Sequence, residues 1–432
     1  MAELTHKINQ EAARTSSWQP LLTNSLGERA LAAVQEIVAD LPGPSATEIA
    51  DASLSGGQAG LAVLSAYLSL AGLDDGENAE KFLEQAVEAV SSRRMDPSLY
   101  AGFTGVAWAA MHVQNQLDNR ADEDPHQEID KALASYLNRS PWRGDYDLIG
   151  GLVGFGVYAL ERLPHPRGVE LLEQVVDRLD ETAERNTKGI TWFTSPELLP
   201  AWQRELCPNG YYNLGLAHGV PGVIALLGQA CAANVARAKA LPLLEGAVAW
   251  LLTHRLADSG NSSFASWVGH GIERGTCRLA WCYGDAGIAA ALLNAARCVG
   301  ELTWEREALE IAHCATKRPL ETAGAADAGL CHGTAGLGHV FNRMFQATGE
   351  TWLKQAAVFW FQRTLEMRRP TGGIGSFSAL SFISGEGRWV DDPGLLEGAA
   401  GIALALLAAI TPIEPAWDRM LLVSVPGGSG EQ

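Results

Sequence analysis

Two cysteines and a histidine stand out for the chemistry that their spacing allows. Cys282 lies in W-C-Y-G-D-A-G (281–287), and Cys331 opens C-H-G-T-A-G (331–336) with His332 directly after it. Each motif ends in Gly-x-x-Gly, and each cysteine sits two positions before the first of those glycines. Two thiolates and one imidazole make a soft N/S donor set that suits zinc. Three ligands, with no fourth in register, match an open reactive site rather than a closed structural one. A thiol that joins such a metal is deprotonated outright.

Other residues in the same register offer acid–base chemistry. His218 precedes G-V-P-G (219–222) as His332 precedes its own glycine. A neutral imidazole near pH 7 is a natural proton carrier; the plainer alternative is a histidine that caps the next helix. Asp147, four positions before its glycine, either orients His218 or caps a helix. Arg278 and Tyr283 flank Cys282, where a cation and a phenol would steady a developing oxyanion. Asp285 and Glu397 are read as carboxylates at helix N-termini, where the helix dipole favours them. Cys231, Cys298 and Cys314 read as small buried residues of Ala-rich helices. Cys207 and Cys277 lie outside the register and read as structural.

These residues are positioned by a repeat. Gly-x-x-Gly also occurs as G-Q-A-G (57–60), G-F-T-G (102–105), G-L-V-G (151–154) and G-A-A-G (398–401), making seven copies 45 to 68 residues apart. Self-similarity at such a period fixes the architecture. Before most copies runs an amphipathic stretch, at 25–41, 79–90, 129–137, 169–183, 241–254, 304–317 and 352–368, with apolar residues at helical spacing and charges between them. After each copy runs a nearly uncharged stretch, such as I-A-A-A-L-L-N-A-A (288–296), and a helix apolar all round is a buried one. Seven half-exposed helices alternating with seven buried ones predict an all-α fold, an α/α toroid with seven outer and seven inner helices. The glycines permit tight entry into each inner helix and close backbone approach. Residues 186–213, rich in turn formers and aromatics, read as an irregular insertion folded over the end that displays the motifs. Residues 1–20 read as a loose N-terminal arm, and 21–432 as a single domain.

Composition sets the outer limits. The chain has 432 residues, 47% of them hydrophobic, and carries 32 basic against 50 acidic side chains, a net charge of −18. That balance argues against nucleic acid or an anionic membrane as partner. The N-terminus lacks the features of a secretory signal, and no apolar run approaches the roughly 18–20 residues that span a bilayer. Seven cysteines, an odd number and few for this length, argue against a disulfide framework and fit a cytoplasmic protein.

W-C-Y-G (281–284), C-H-G (331–333), L-G-L-A-H-G-V-P-G (214–222) and L-L-E-G-A-A-G (395–401), in this order, resemble the lanthionine synthetase C-like (LanC) family of lanthipeptide cyclases. The resemblance covers nearly the whole chain. It implies an α/α toroid with one zinc held by Cys282, Cys331 and His332, and catalytic roles for Asp147, His218, Arg278 and Tyr283. It further implies the addition of cysteine thiols of a dehydrated precursor peptide, leader plus core, to dehydroalanine or dehydrobutyrine. A separate dehydratase and an export complex would be partners, since the long dehydratase region of the fused synthetases is absent. His218 would remove the thiol proton or return a proton to the α-carbon. One departure is Asp285, where a basic or small residue is expected. Three rival readings remain at this level. The chain could add glutathione to dehydroamino acids in proteins, be a zinc-stabilised peptide-binding toroid without catalysis, or be an α/α-toroid glycosidase using Asp147, Asp285 or Glu397. The glycosidase reading leaves the Cys/Cys/His register unexplained.

Overall fold

The computed structural model describes residues 18–44, 51–117, 124–256, 262–273, 275–369, 372–383 and 386–426. The first seventeen residues of the expected N-terminal arm lie outside that set. Trp18, at its end, is buried, and its indole N–H donates to the carbonyl of Ala408 at 2.8 Å.

Both kinds of helix form where the periodicity places them. The half-exposed ones are Asn24–Asp40, Glu77–Ser92, Gln127–Leu137, Pro166–Thr182, Arg237–Leu252, Leu302–Thr316 and Thr351–Glu366. Pro166–Thr182 shows why: Leu171, Leu172, Val175, Val176 and Leu179 fall on one buried face, while its charged residues face water. The buried ones are Gln58–Leu70, Phe103–Gln116, Leu152–Glu161, Val220–Ala232, Asp285–Val299, Thr334–Thr348 and Ala399–Ile410. In the last of these, every residue from Ala399 to Ala409 is buried. Each fully buried leucine there contributes about 1.5–3 kcal/mol relative to exposure. None of the described helices is long and apolar enough to cross a membrane.

The chain divides into two compact units, one of residues 1–96, 100–122 and 325–417, the other of 97–99, 123–324 and 418–432. In the first unit the buried helices pack in the order Thr334–Thr348, Ala399–Ile410, Gln58–Leu70, Phe103–Gln116, so the last copy lies against the first. In the second unit Leu152–Glu161, Val220–Ala232 and Asp285–Val299 pack in sequence order.

The Gly-x-x-Gly loops have a shared construction. A Cβ on the second glycine would lie 1.8 Å from the Leu330 carbonyl oxygen at Gly336, 1.9 Å from that of Leu395 at Gly401, and 2.1 Å from that of Trp281 at Gly287. The loop therefore folds back onto the helix start so closely that any side chain would displace its backbone. This contact satisfies helix N–H groups that have no partner within the helix. Gln58, Phe103, Thr334 and Ala399 donate to the carbonyls of Asp51, Asp96, Asp327 and Asp392, each seven residues back, at 2.8–3.0 Å. The buried helices accordingly have no side-chain N-cap. The position two before the first glycine is tied to the next copy through the main chain. Cys331 N–H donates to Leu396 C=O (2.7 Å), Leu396 to Ser55 (2.9 Å) and Ser55 to Tyr100 (3.0 Å) in the first unit. In the second, Leu148, three before its glycine, donates to Ala217 (3.1 Å), and Ala217 donates to Cys282 (3.2 Å). Within each unit the loops thus stand side by side.

The expected insertion is irregular, though not wholly so. It holds most of a hairpin (Glu184–Asn186 with Gly189–Thr191), a short helix at Ala201–Leu206 and a strand at Tyr212–Asn213 that pairs with Trp267–Val268. A third small ladder, Ala379–Ile383 with Glu386–Val390, was not foreseen. Its two five-residue strands are too short for their alternation to stand out against the helical pattern.

Candidate active site

The loops of copies three, four and five, all in the second unit, bring Asp147, His218 and Tyr283 together. His218 Nδ1 lies 2.6 Å from Asp147 Oδ2, while Asp147 Oδ1 accepts the N–H of Gly150 at 2.8 Å. The carboxylate is thus held from its own loop and turned toward the imidazole. Neither residue caps a helix: Leu152–Glu161 and Val220–Ala232 start at Gly151 and Gly219 with no side-chain cap bond. Burial pulls the imidazole's pKa down, but the hydrogen bond and charge of Asp147, with Cys282 and Asp145 behind it, outweigh that and hold His218 above its ordinary value. The His218 side chain keeps 41% of its surface exposed, so it remains reachable.

Tyr283 stacks on His218 with ring centroids 5.9 Å apart and planes 26° off parallel, and Trp267 meets it edge-on. Its hydroxyl is oriented by Asn213, which is fully buried. Asn213 Oδ1 accepts the N–H of Gly215 at 2.8 Å, so its amide Nδ2 faces the phenol and donates to it at 3.0 Å. A phenol that already accepts has its own proton left to give. Burial pushes the Tyr283 pKa well above the ordinary tyrosine value, so the proton stays on at neutral pH. Sequence reasoning missed Asn213. It stands six positions before its glycine, where other copies have Asp51, Asp96, Asp145, Asp327 and Asp392, and reading the register further back would have found it.

His218, Asp147 and Tyr283 line a cavity of roughly 330 Å³. The insertion forms its other wall, with Leu198, Leu199, Pro200, Trp202 and Tyr211. The expectation that this segment folds over the motif-bearing loops therefore holds within the second unit. Tyr211 is fixed there by a hydrogen bond from its hydroxyl to Gln203 Oε1 at 2.9 Å.

The remaining candidates are placed as follows. Cys282 is buried, with its carbonyl accepting from Ala217 beside His218. Arg278 is exposed, and its guanidinium makes no hydrogen bond or ion pair among the described residues. Asp285 is in the first turn of Asp285–Val299 as expected, but it is 2% exposed and accepts the N–H of Ser263 at 2.8 Å. It therefore adds no charge to the surface of the loops. In the first unit Cys331 and His332 are half-buried, and Glu397 is exposed in the loop of copy seven. By residue type, Cys282, Cys331 and His332 form a donor set of two sulfurs and one nitrogen, which suits zinc. A second such group, Asp124, Asp130 and His165, has its carboxylates occupied by Arg162, at 2.5 and 2.7 Å. Cys207, Cys231 and Cys277 are buried, Cys298 partly so. Cys314 departs from expectation and is exposed, since it lies on the solvent side of Leu302–Thr316.

The family model for the lanthionine synthetase C-like protein matches residues 48–422. The chain belongs to this family. Among LanC-like proteins it is 24% identical over 319 residues to the nisin biosynthesis protein NisC of Lactococcus lactis subsp. lactis, which covers 67% of this chain and 73% of that one. The solved structure of nisin cyclase superposes with a TM-score of 0.68 at 20% identity, over 87% of this chain and 93% of that one. That likeness carries the fold, the α/α toroid expected from the seven copies.

Proposed function

We propose that this LanC-like chain is a lanthipeptide cyclase. It adds cysteine thiols of a dehydrated precursor peptide, leader plus core, to dehydroalanine or dehydrobutyrine and closes (methyl)lanthionine rings. The reading rests above all on the Asp147–His218 pair, which faces the Tyr283 phenol at one cavity of a LanC-like chain. A zinc-stabilised toroid without catalysis would have no use for a reachable imidazole held by a buried carboxylate. The likeness to NisC, a nisin biosynthesis protein, supports the same substrate class.

Zinc held by Cys282, Cys331 and His332 would supply thiolate at neutral pH. The reading takes residues 21–432 as one catalytic domain. When sulfur bonds to the β-carbon of the alkene, the electron pair of the double bond moves toward the neighbouring amide oxygen. That oxygen needs donors, and Tyr283, still protonated and oriented by Asn213, is one; the exposed guanidinium of Arg278 is the other. The α-carbon then takes a proton, which His218 delivers. The Asp147 carboxylate beside it favours the protonated ring that this task needs. On this reading the alkenes come from a dehydratase, and an export complex takes the product. Seven cysteines that are all thiols fit a cytoplasmic setting.

The test is to incubate a dehydrated precursor peptide with the protein and alkylate the thiols that remain, since closure leaves the mass unchanged. Wild type should leave few alkylated thiols and Cys331→Ala many. Equal alkylation with and without wild-type protein would remove the reading.

A further inference from the structure

The loop of copy five is built unlike the others. In four copies an Asp or Asn six positions before the first glycine turns back on its own loop. Asp51 Oδ1 accepts from Ser53 N–H (2.9 Å), Asn213 from Gly215 (2.8 Å), Asp327 from Gly329 (3.1 Å) and Asp392 from Gly394 (2.6 Å). Such an Asx turn fixes the loop's entry with one short polar side chain. Copy five has Arg278 at this position, and a guanidinium has no acceptor atom. Copy five differs a second time one residue after the first glycine. Asp285 stands where the other copies carry Gln58, Phe103, Leu152, Val220, Thr334 and Ala399.

Arg318 braces the entry of this loop. Its Nη2 donates to the carbonyl of Cys277, the residue just before the missing brace. Burial lowers its pKa and the charge of Asp285 raises it; burial in turn raises the pKa of Asp285. Around them, Ser266 Oγ donates to Cys277 Sγ at 3.1 Å, and Leu279 N–H donates to Ala323 C=O at 2.7 Å. At the far end of the loop Asp285 holds the N–H of Ser263. Segment 278–284 is therefore gripped at both ends from outside, where those four copies grip themselves.

We infer that Arg318 and Asp285 are positioning residues that replace the Asx brace in copy five, holding the loop that carries Cys282 and Tyr283 while leaving position 278 free for an exposed arginine. The inference deepens the functional reading above, but its first test does not depend on it. Amide hydrogen exchange over 278–284 is measured in the purified full-length protein, in Arg318→Ala, in Arg278→Asn and in the double variant. Arg318→Ala should exchange about tenfold faster in this segment, as expected for the loss of one hydrogen bond to a charged group. Arg278→Asn restores an acceptor at the shared position. Alone it should not speed exchange, and combined with Arg318→Ala it should bring the rate back near wild type. The second readout is cobalt(II) titration followed by thiolate absorption. Arg318→Ala should weaken binding roughly tenfold, in the range seen for residues that support metal ligands, and the double variant should recover. Unchanged exchange in Arg318→Ala, or a double variant as fast as the single one, would overturn the inference. Should Arg318→Ala fail to fold by circular dichroism, Arg318→Lys with and without Arg278→Asn gives the same comparison. A wild-type protein that binds no cobalt would sink the metal reading, and the exchange data would still decide the brace.

Discussion

Asp147 and His218 are 71 positions apart in sequence, yet their side chains meet at 2.6 Å, each held from its own Gly-x-x-Gly loop. This contact sets the protonation of the imidazole. In Asp147→Asn the burial that lowers the His218 pKa remains and the carboxylate that raises it is gone, so its titration should move down. The sign for stability follows: the pair's contribution is fully present below the unfolded histidine value of about 6.5, while Asp147 stays ionised, and is lost as pH rises through the higher folded value. Wild type should therefore exceed Asp147→Asn in melting temperature most near pH 6 and least at alkaline pH. Ring-proton NMR titration of His218 reads the shift itself, and an unmoved curve in Asp147→Asn would falsify the account.

His218→Ala should keep its metal and its fold yet lose roughly 10²–10⁴-fold in ring closure, since a proton carrier is removed and no ligand is touched. Single-turnover alkylation assays give the rate. Closure at the wild-type rate would leave the imidazole no part in the chemistry.

Cys331→Ala should purify with about no zinc where wild type carries about one equivalent. Metal analysis of both proteins decides it, and stoichiometric zinc in a variant lacking Cys282, Cys331 and His332 together would place the metal elsewhere.

Asn213→Asp is a sharper probe than removal. The new carboxylate can still accept from Gly215, but its second oxygen can only accept from Tyr283, so the phenol must spend its proton there. Closure should fall about as far as in Tyr283→Phe, on the order of 10²-fold. If Asn213→Asp is as active as wild type while Tyr283→Phe is not, the phenol acts by something other than donation.

Gly336→Ala should lower stability by on the order of 3 kcal/mol, because its Cβ would lie 1.8 Å from the Leu330 carbonyl oxygen. Gly43, with nothing within 4 Å, is the control and should tolerate Ala within about 0.5 kcal/mol. Urea unfolding of the two variants makes the comparison.

The helices were readable because burial leaves a plain mark: the nearly uncharged stretch after each glycine pair became a buried helix in all seven copies. The pairing of Asp147 with His218 was readable because both stand near aligned glycines. Asn213 was not, because its role lies in a two-sided amide whose orientation is fixed by Gly215, and no residue type announces that. Asp285 looked like part of the exposed loop end because Gly-x-x-Gly says nothing of Ser263, twenty-two positions upstream, which covers it. Cys314 shows the converse, a cysteine whose helix face decides its exposure.

The main-chain bonds that join Cys331, Leu396, Ser55 and Tyr100 in the first unit, and Ala217 and Cys282 in the second, have a consequence for how such a protein can change. Peptide groups do the holding at these positions, so the side chains are excused from it: a hydroxyl, a phenol, a methyl, two thiols and an isobutyl group occupy equivalent places. A donor atom can be gained or lost there by one substitution without loosening the frame. Chemistry in this architecture is written in exchangeable letters on a line ruled by the backbone.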